Sequence, residues 1–133
     1  MSQENAELVR AAYDAYNREG ITGILRYLDP EVEWRNAPDS PNAGVFVGHE
    51  GVVEWQGMVD EGFKDMYFEP ERIDQLQQGQ VLVSVRFRFR APTSDVQVEV
   101  PFAHLMTWRD EKVMAFRMYT SKAEALKAAG LRE

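Results

Sequence analysis

Residues 81–109 read VLVSVRFRFRAPTSDVQVEVPFAHLMTWR. From Val81 to Arg90 the chain alternates, with Val81, Val83, Val85, Phe87 and Phe89 on one side and Leu82, Ser84, Arg86, Arg88 and Arg90 on the other. That is the period of a strand with one face buried. Ala91 to Asp95 forms a hairpin loop. Val96 to Arg109 alternates again and puts Val96, Val98, Val100, Phe102, His104, Met106 and Trp108 on one face. Pairing across the loop sets Arg88 opposite Glu99 and Arg90 opposite Gln97. The stripe Arg86, Arg88, Arg90 then reads as a solvated or dimer-facing surface with cross-strand ion pairs. A phosphate or RNA stripe is the competing reading.

Strands continue on both sides of this hairpin. Upstream, Tyr67 to Leu76 is a strand candidate and Gln77 to Gln80 a turn; downstream, Asp110-Glu111 turns the chain and Lys112 to Thr120 returns. Arg117 and Tyr119 oppose Phe116 and Met118 on that last strand, so only one pair faces inward. Ser121 can cap a tail helix from Lys122 to Ala129, which Gly130 ends.

The N-terminal half is helical. Ser2 to Arg18 carries Leu8, Ala11, Ala12, Ala15 and Tyr16 at helical spacing, with Ser2 as cap and Glu4 and Glu7 near the positive end of the dipole. Gly20 stops it, and a short helix from Thr22 to Leu28 ends at Asp29-Pro30. Val32 to Asn36 reads as a strand and Ala37 to Val47 as a loop. Gly48 opens a third helix that runs to about Tyr67. The apolar face of the four-stranded meander needs a cover, and these helices are the material for it. The expected fold is α+β: a cone-shaped, curved, mostly antiparallel sheet wrapped around three N-terminal helices. Such a curl leaves a conical cavity.

Composition narrows the function. A chain of 133 residues has the length of one domain, so residues 1–133 are read as a single domain. No cysteine is present, which removes disulfides, thiolate metal sites and cysteine nucleophiles together. The net charge of −7 repels phosphate backbones and anionic lipid, so neither nucleic acid nor a membrane is the expected partner. The N-terminus does not read as a signal peptide, and a cytoplasmic location is expected. His49 and His104 lie far apart in sequence, and no His/Asp/Glu spacing suggests a metal. Neither a Gly-rich phosphate loop nor a nucleophile elbow occurs, so no cofactor is expected.

Three strings, YNREGITGILRYLDPEVEW from Tyr16, GHEGVVEW from Gly48 and FAHLMTWRDEKVMAFRMYTSKAEALKAAGL from Phe102, resemble the nuclear transport factor 2-like superfamily. More narrowly they resemble its SnoaL-like branch, related to polyketide cyclases and ketosteroid isomerases. The resemblance implies the cone-shaped roll and pairing of two copies through the outer sheet face. It also implies a pocket whose chemistry varies across the superfamily. The isomerase pattern of an Asp base beside a Tyr and a neutral Asp mostly fails here. Its base falls at Trp34, its tyrosine at Ala12 and its second Asp at His104, with Tyr16 one turn beyond Ala12. The cyclases keep a histidine at the His104 position, but their acid-base Asp falls near Met118 or Tyr119.

His104 and Tyr16 are therefore the candidate catalytic residues. Trp34, Trp55, Phe63, Phe87, Phe102, Phe116 and Met118 are the candidate ligand-binding residues, with Phe116 and Met118 chosen over Arg117 and Tyr119 from the isomerase match. For each aromatic, plain core packing is the alternative. The expected partner is a small apolar or aromatic molecule, together with a second copy of the chain. The chemistry, where there is turnover, is proton transfer beside a carbonyl in an isomerase, cyclase or dehydratase. The alternatives are a non-catalytic carrier or sensor and a dimeric interaction module.

Overall fold

The structure is a computed structural model that describes residues 2–38 and 44–130, with side chains from residue 6 onward. The chain runs α1 (Ser2–Glu19), α2 (Ile21–Leu25), β1 (Leu28–Arg35), β2 (Val45–Val47), α3 (Gly48–Asp60), β3 (Lys64–Gln75), β4 (Gln80–Arg90), β5 (Gln97–Arg109), β6 (Lys112–Tyr119) and α4 (Lys122–Ala128). The strands form one sheet in the order β2-β1-β6-β5-β4-β3. All neighbouring pairs are antiparallel except β1 with β6. The expected α+β class and mostly antiparallel sheet are what the chain adopts, with one parallel pair added. The Ser2 cap and the Glu4 placement concern side chains outside the described residues, as does the middle of the loop read at 37–47.

The central hairpin keeps its expected register, with Arg88 opposite Glu99 and Arg90 opposite Gln97. Val81, Val83, Val85 and Phe87 are buried, as the alternation requires. The turn at Asp110-Glu111 has positive φ at both residues, 53° and 66°. With Arg109 paired to Lys112, that is the turn whose twist matches a two-residue hairpin. Ser121 Oγ accepts from the Glu124 N–H at 3.1 Å and caps α4 as expected.

Four boundaries differ, each for a local reason. The second helix stops at Leu25, and Leu28 already belongs to β1, where it is 2% exposed. Pro30 does not break the strand because the β1–β6 register shifts between Leu28 and Glu33, where a missing N–H is tolerated. The third helix ends at Asp60 rather than near Tyr67. Beyond Gly62, Lys64 to Gln75 pairs along β4, and ladder bonding outweighs the helical periodicity. Val45–Val47, read as loop, is a short edge strand on β1, with Phe46 opposite Trp34.

The outer face also departs from expectation. Its basic stripe does carry cross-strand pairs: Arg86 to Glu71 at 2.8 Å, Arg88 to Glu69 at 2.8 Å and Arg90 to Asp65 at 3.3 Å. At the other end, however, this face is apolar. Leu82 and Ala103 pack beneath Ala125 of α4 in a small second core. The tail helix therefore seals an outer apolar patch that the alternation alone presented as solvent-facing.

Candidate functional site

β5 places His104 on the inner face, opposite Val83 on one side and Met118 on the other. The side chain is 2% exposed. Across from it, α1 presents Tyr13, whose hydroxyl lies 2.6 Å from His104 Nδ1 with the two rings nearly parallel at 8°. Phe116 meets the imidazole edge-on at 4.7 Å. Burial alone pushes the His104 pKa down from 6.5 to about 3, so the ring is neutral at physiological pH. Burial likewise raises the Tyr13 hydroxyl well above its ordinary value.

Hydrogen-bond counting assigns the tautomer. Tyr13 has one proton to place, and Nδ1 is the acceptor beside it. Nδ1 therefore accepts, and the imidazole proton sits on Nε2. That nitrogen is buried without a partner among the described residues. The opposite tautomer would leave the hydroxyl proton, as well as Nε2, unsatisfied. A buried unmade hydrogen bond costs about 1–3 kcal/mol, so the first arrangement wins.

The pair stands at the wall of a cavity of about 50 Å³ between the helices and the sheet. That is room for roughly three or four water molecules, far below the several hundred cubic ångströms of a drug-sized site. Trp34, Trp55, Phe116 and Met118 line it, as expected, together with His104 and Tyr16. Trp34 stacks on Phe116 at 3.9 Å and tilts against Trp55 at 5.1 Å. Phe116 and Met118 are buried, which places the inner face of β6 where the sequence reading put it.

Phe63, Phe87 and Phe102 are corrected to another location. They lie outside the lining, in a ring ladder along the sheet: Phe87 stacks on Phe68 at 4.5 Å, with Phe63 and Phe102 each 5.6 Å from Phe87. Phe68 is the ring that joins this ladder to the cavity. Tyr16 also needs correction. It lines the cavity, but its hydroxyl donates to Gln56 Oε1 at 2.6 Å, and Gln56 donates in turn to Asp60 at 2.7 Å. Burial raises its pKa, against the Gln56 bond that lowers it. The tyrosine that meets His104 is Tyr13, adjacent to the Ala12 that the isomerase pattern indicated.

Tyr13 and Phe68 are thus the aromatic lining residues that the sequence reading missed. The pattern Val9, Ala12, Tyr13, Tyr16 is as good a helical stripe as the one chosen, and would have found Tyr13. Asn17 holds the two missed elements together: its side chain donates to Phe68 O at 2.7 Å and accepts from Phe68 N at 3.0 Å. His49 Nε2 lies 3.0 Å from Leu28 O, tying the start of α3 to β1; His49 itself is not on the lining. Among the described residues no group of three or more His, Asp or Glu side chains could hold a metal ion. Among the described residues no helix is long and apolar enough to cross a membrane.

A curved sheet closed by N-terminal helices over an inner cavity defines an α+β fold of the nuclear transport factor 2-like class. The chain is similar to a protein with a ketosteroid isomerase-like fold from Catenulispora acidiphila, in complex with trimethylamine (16% identity, 94% and 93% of the two chains, TM-score 0.74). It is also similar to an NTF2-like protein from Burkholderia pseudomallei (24% identity, 92% and 95%, TM-score 0.77). A third similar structure is a putative SnoaL-like polyketide cyclase from Jannaschia sp. (20% identity, 95% and 91%, TM-score 0.72). At these identities the likeness establishes the fold. Residues 9–116 match the SnoaL-like domain model, and the chain belongs to that family. A search of curated proteins finds no match.

Proposed function

We propose that this protein binds a small, uncharged, apolar or aromatic molecule between its helices and sheet, with the Tyr13–His104 pair as the polar end of the site. The observation that carries the reading is an imidazole held neutral inside an aromatic box, its Nε2 left without a protein partner. Protein interiors rarely leave such a group unpaired without a use. The 50 Å³ cavity admits only a few heavy atoms as it stands, so a larger ligand requires the rings to part.

Binding without turnover, as in a carrier or sensor, fits the lining best. Among the described residues it contains no carboxylate, and neither Tyr13 nor His104 exchanges a proton readily near neutral pH. A catalytic reading is favoured by one feature. A neutral imidazole N–H polarises a carbonyl without becoming charged, which suits an isomerase, cyclase or dehydratase that draws its base from the substrate or water. A homodimer formed through the outer face of β3–β5, in the cytoplasm, completes the proposal.

The test uses the methyl resonances of Met106 and Met118, both on the lining. Titrated benzene shifts both in the wild type and neither in Ala12→Phe, which fills the cavity from α1. If benzene leaves both unmoved, and no small molecule is extracted from freshly purified protein, the pocket reading fails.

A further inference from the structure

His104 Nε2 is not the only unpaired donor. The indole N–H groups of Trp34 and Trp55 are also buried with no hydrogen-bond partner among the described residues, and both residues line the same cavity. The two indoles come from different elements, β1 and α3, and meet at 5.1 Å between centroids. With the imidazole proton on Nε2, three lining side chains each carry an N–H that no atom of the described residues accepts. The hydroxyl protons of Tyr13 and Tyr16 are already placed, on Nδ1 and on Gln56.

Resting on the pocket reading, we propose that Trp34, Trp55 and His104 form a donor subsite that takes an uncharged ligand through an oxygen acceptor, such as a carbonyl or ether oxygen. The charge of the ligand follows from the same residues. Aromatic walls attract an ammonium through their faces, but three N–H groups present positive edges to it. A carboxylate would be accepted by the donors, yet among the described residues no cationic side chain lines the cavity to offset its desolvation. A neutral oxygen meets neither objection. In the closed cavity these N–H atoms have essentially no exposed surface. The acceptor therefore reaches them as the rings separate, and the new hydrogen bonds offset the cost of parting the Trp34–Phe116 stack.

An isosteric pair tests this on the unmodified protein. Cyclopentanone and methylenecyclopentane have nearly the same shape and differ by oxygen for CH₂. In a purely apolar cavity the hydrocarbon binds more tightly, because the carbonyl must be stripped of water. The donor subsite predicts that the ketone binds at least as tightly. It also predicts that the indole ¹H resonances of Trp34 and Trp55 move downfield while that of Trp108, equally buried and unpaired but off the lining, stays in place. Trp34→Phe and Trp55→Phe each weaken ketone binding roughly tenfold more than they change hydrocarbon binding. Tighter binding of the hydrocarbon with unmoved indoles overturns the donor subsite while leaving the pocket intact. Tighter binding of tetramethylammonium than of the ketone also overturns it. If neither cyclopentane derivative binds, the pocket reading falls with it.

Discussion

The substitution His104→Phe removes an imidazole that folding strips of water, and its consequence is a change in pH dependence. In the native chain burial depresses the His104 pKa to about 3, whereas the unfolded chain returns it to about 6.5. Between those values the unfolded state binds a proton that the native state does not. Stability therefore falls as pH drops through 6.5 toward 3, and this group's contribution levels off above 6.5. Fully expressed, the gap corresponds to about 5 kcal/mol, of which about 2 kcal/mol is lost between pH 6.5 and 4.5. Urea unfolding of wild type and His104→Phe at a series of pH values isolates the effect, because the surface carboxylates contribute equally to both. The difference between the two proteins should change by about 2 kcal/mol across that window. Parallel profiles, or an NMR titration that puts native His104 near pH 6, would refute the account of a dry, neutral imidazole.

Three further outcomes follow from the same contacts. Tyr13→Phe deletes the hydroxyl on Nδ1 and leaves the buried nitrogen unpaired; it should cost about 1–3 kcal/mol in urea and move the His104 ¹⁵N resonances toward a mixed tautomer. Asn17→Ala breaks both bonds to the Phe68 backbone, and should lower stability by about 1–3 kcal/mol and speed amide exchange at Phe68. Gly79 has φ of 78°, and a Cβ there would lie 2.7 Å from Trp108 O. Gly79→Ala should therefore destabilise by about 2 kcal/mol or more, where an unchanged unfolding midpoint would contradict the turn geometry.

The sheet was legible in the sequence because its signal is local and redundant. Period-two alternation from Val81 to Trp108 assigns the inner face of the strands, and the hairpin loop sets the register of Arg88 against Glu99. His104 inside and the paired basic stripe follow from that pattern, whereas Phe116 and Met118 on the inner face came from the resemblance to the isomerases. Three features did not follow. The edge strand at Val45–Val47 is too short to show a period, and the parallel pairing of β1 with β6 is a long-range contact with no local mark. The burial of Leu82 depends on where the tail helix lands.

The partner of His104 belongs to the same class. Helix α1 offers two overlapping apolar stripes, one through Leu8, Ala11, Ala12, Ala15 and Tyr16 and one through Val9, Ala12, Tyr13 and Tyr16, turned about the helix axis from each other. Sequence periodicity determines that a helix covers the sheet and that a histidine lies beneath it. Only tertiary packing selects the rotation, because the choice is made by the Asn17 clamp on Phe68 and the fit of rings against β5. It likewise decides how much of the cone stays empty, since cavity volume is a sum over side chains from every element rather than a property of any one segment.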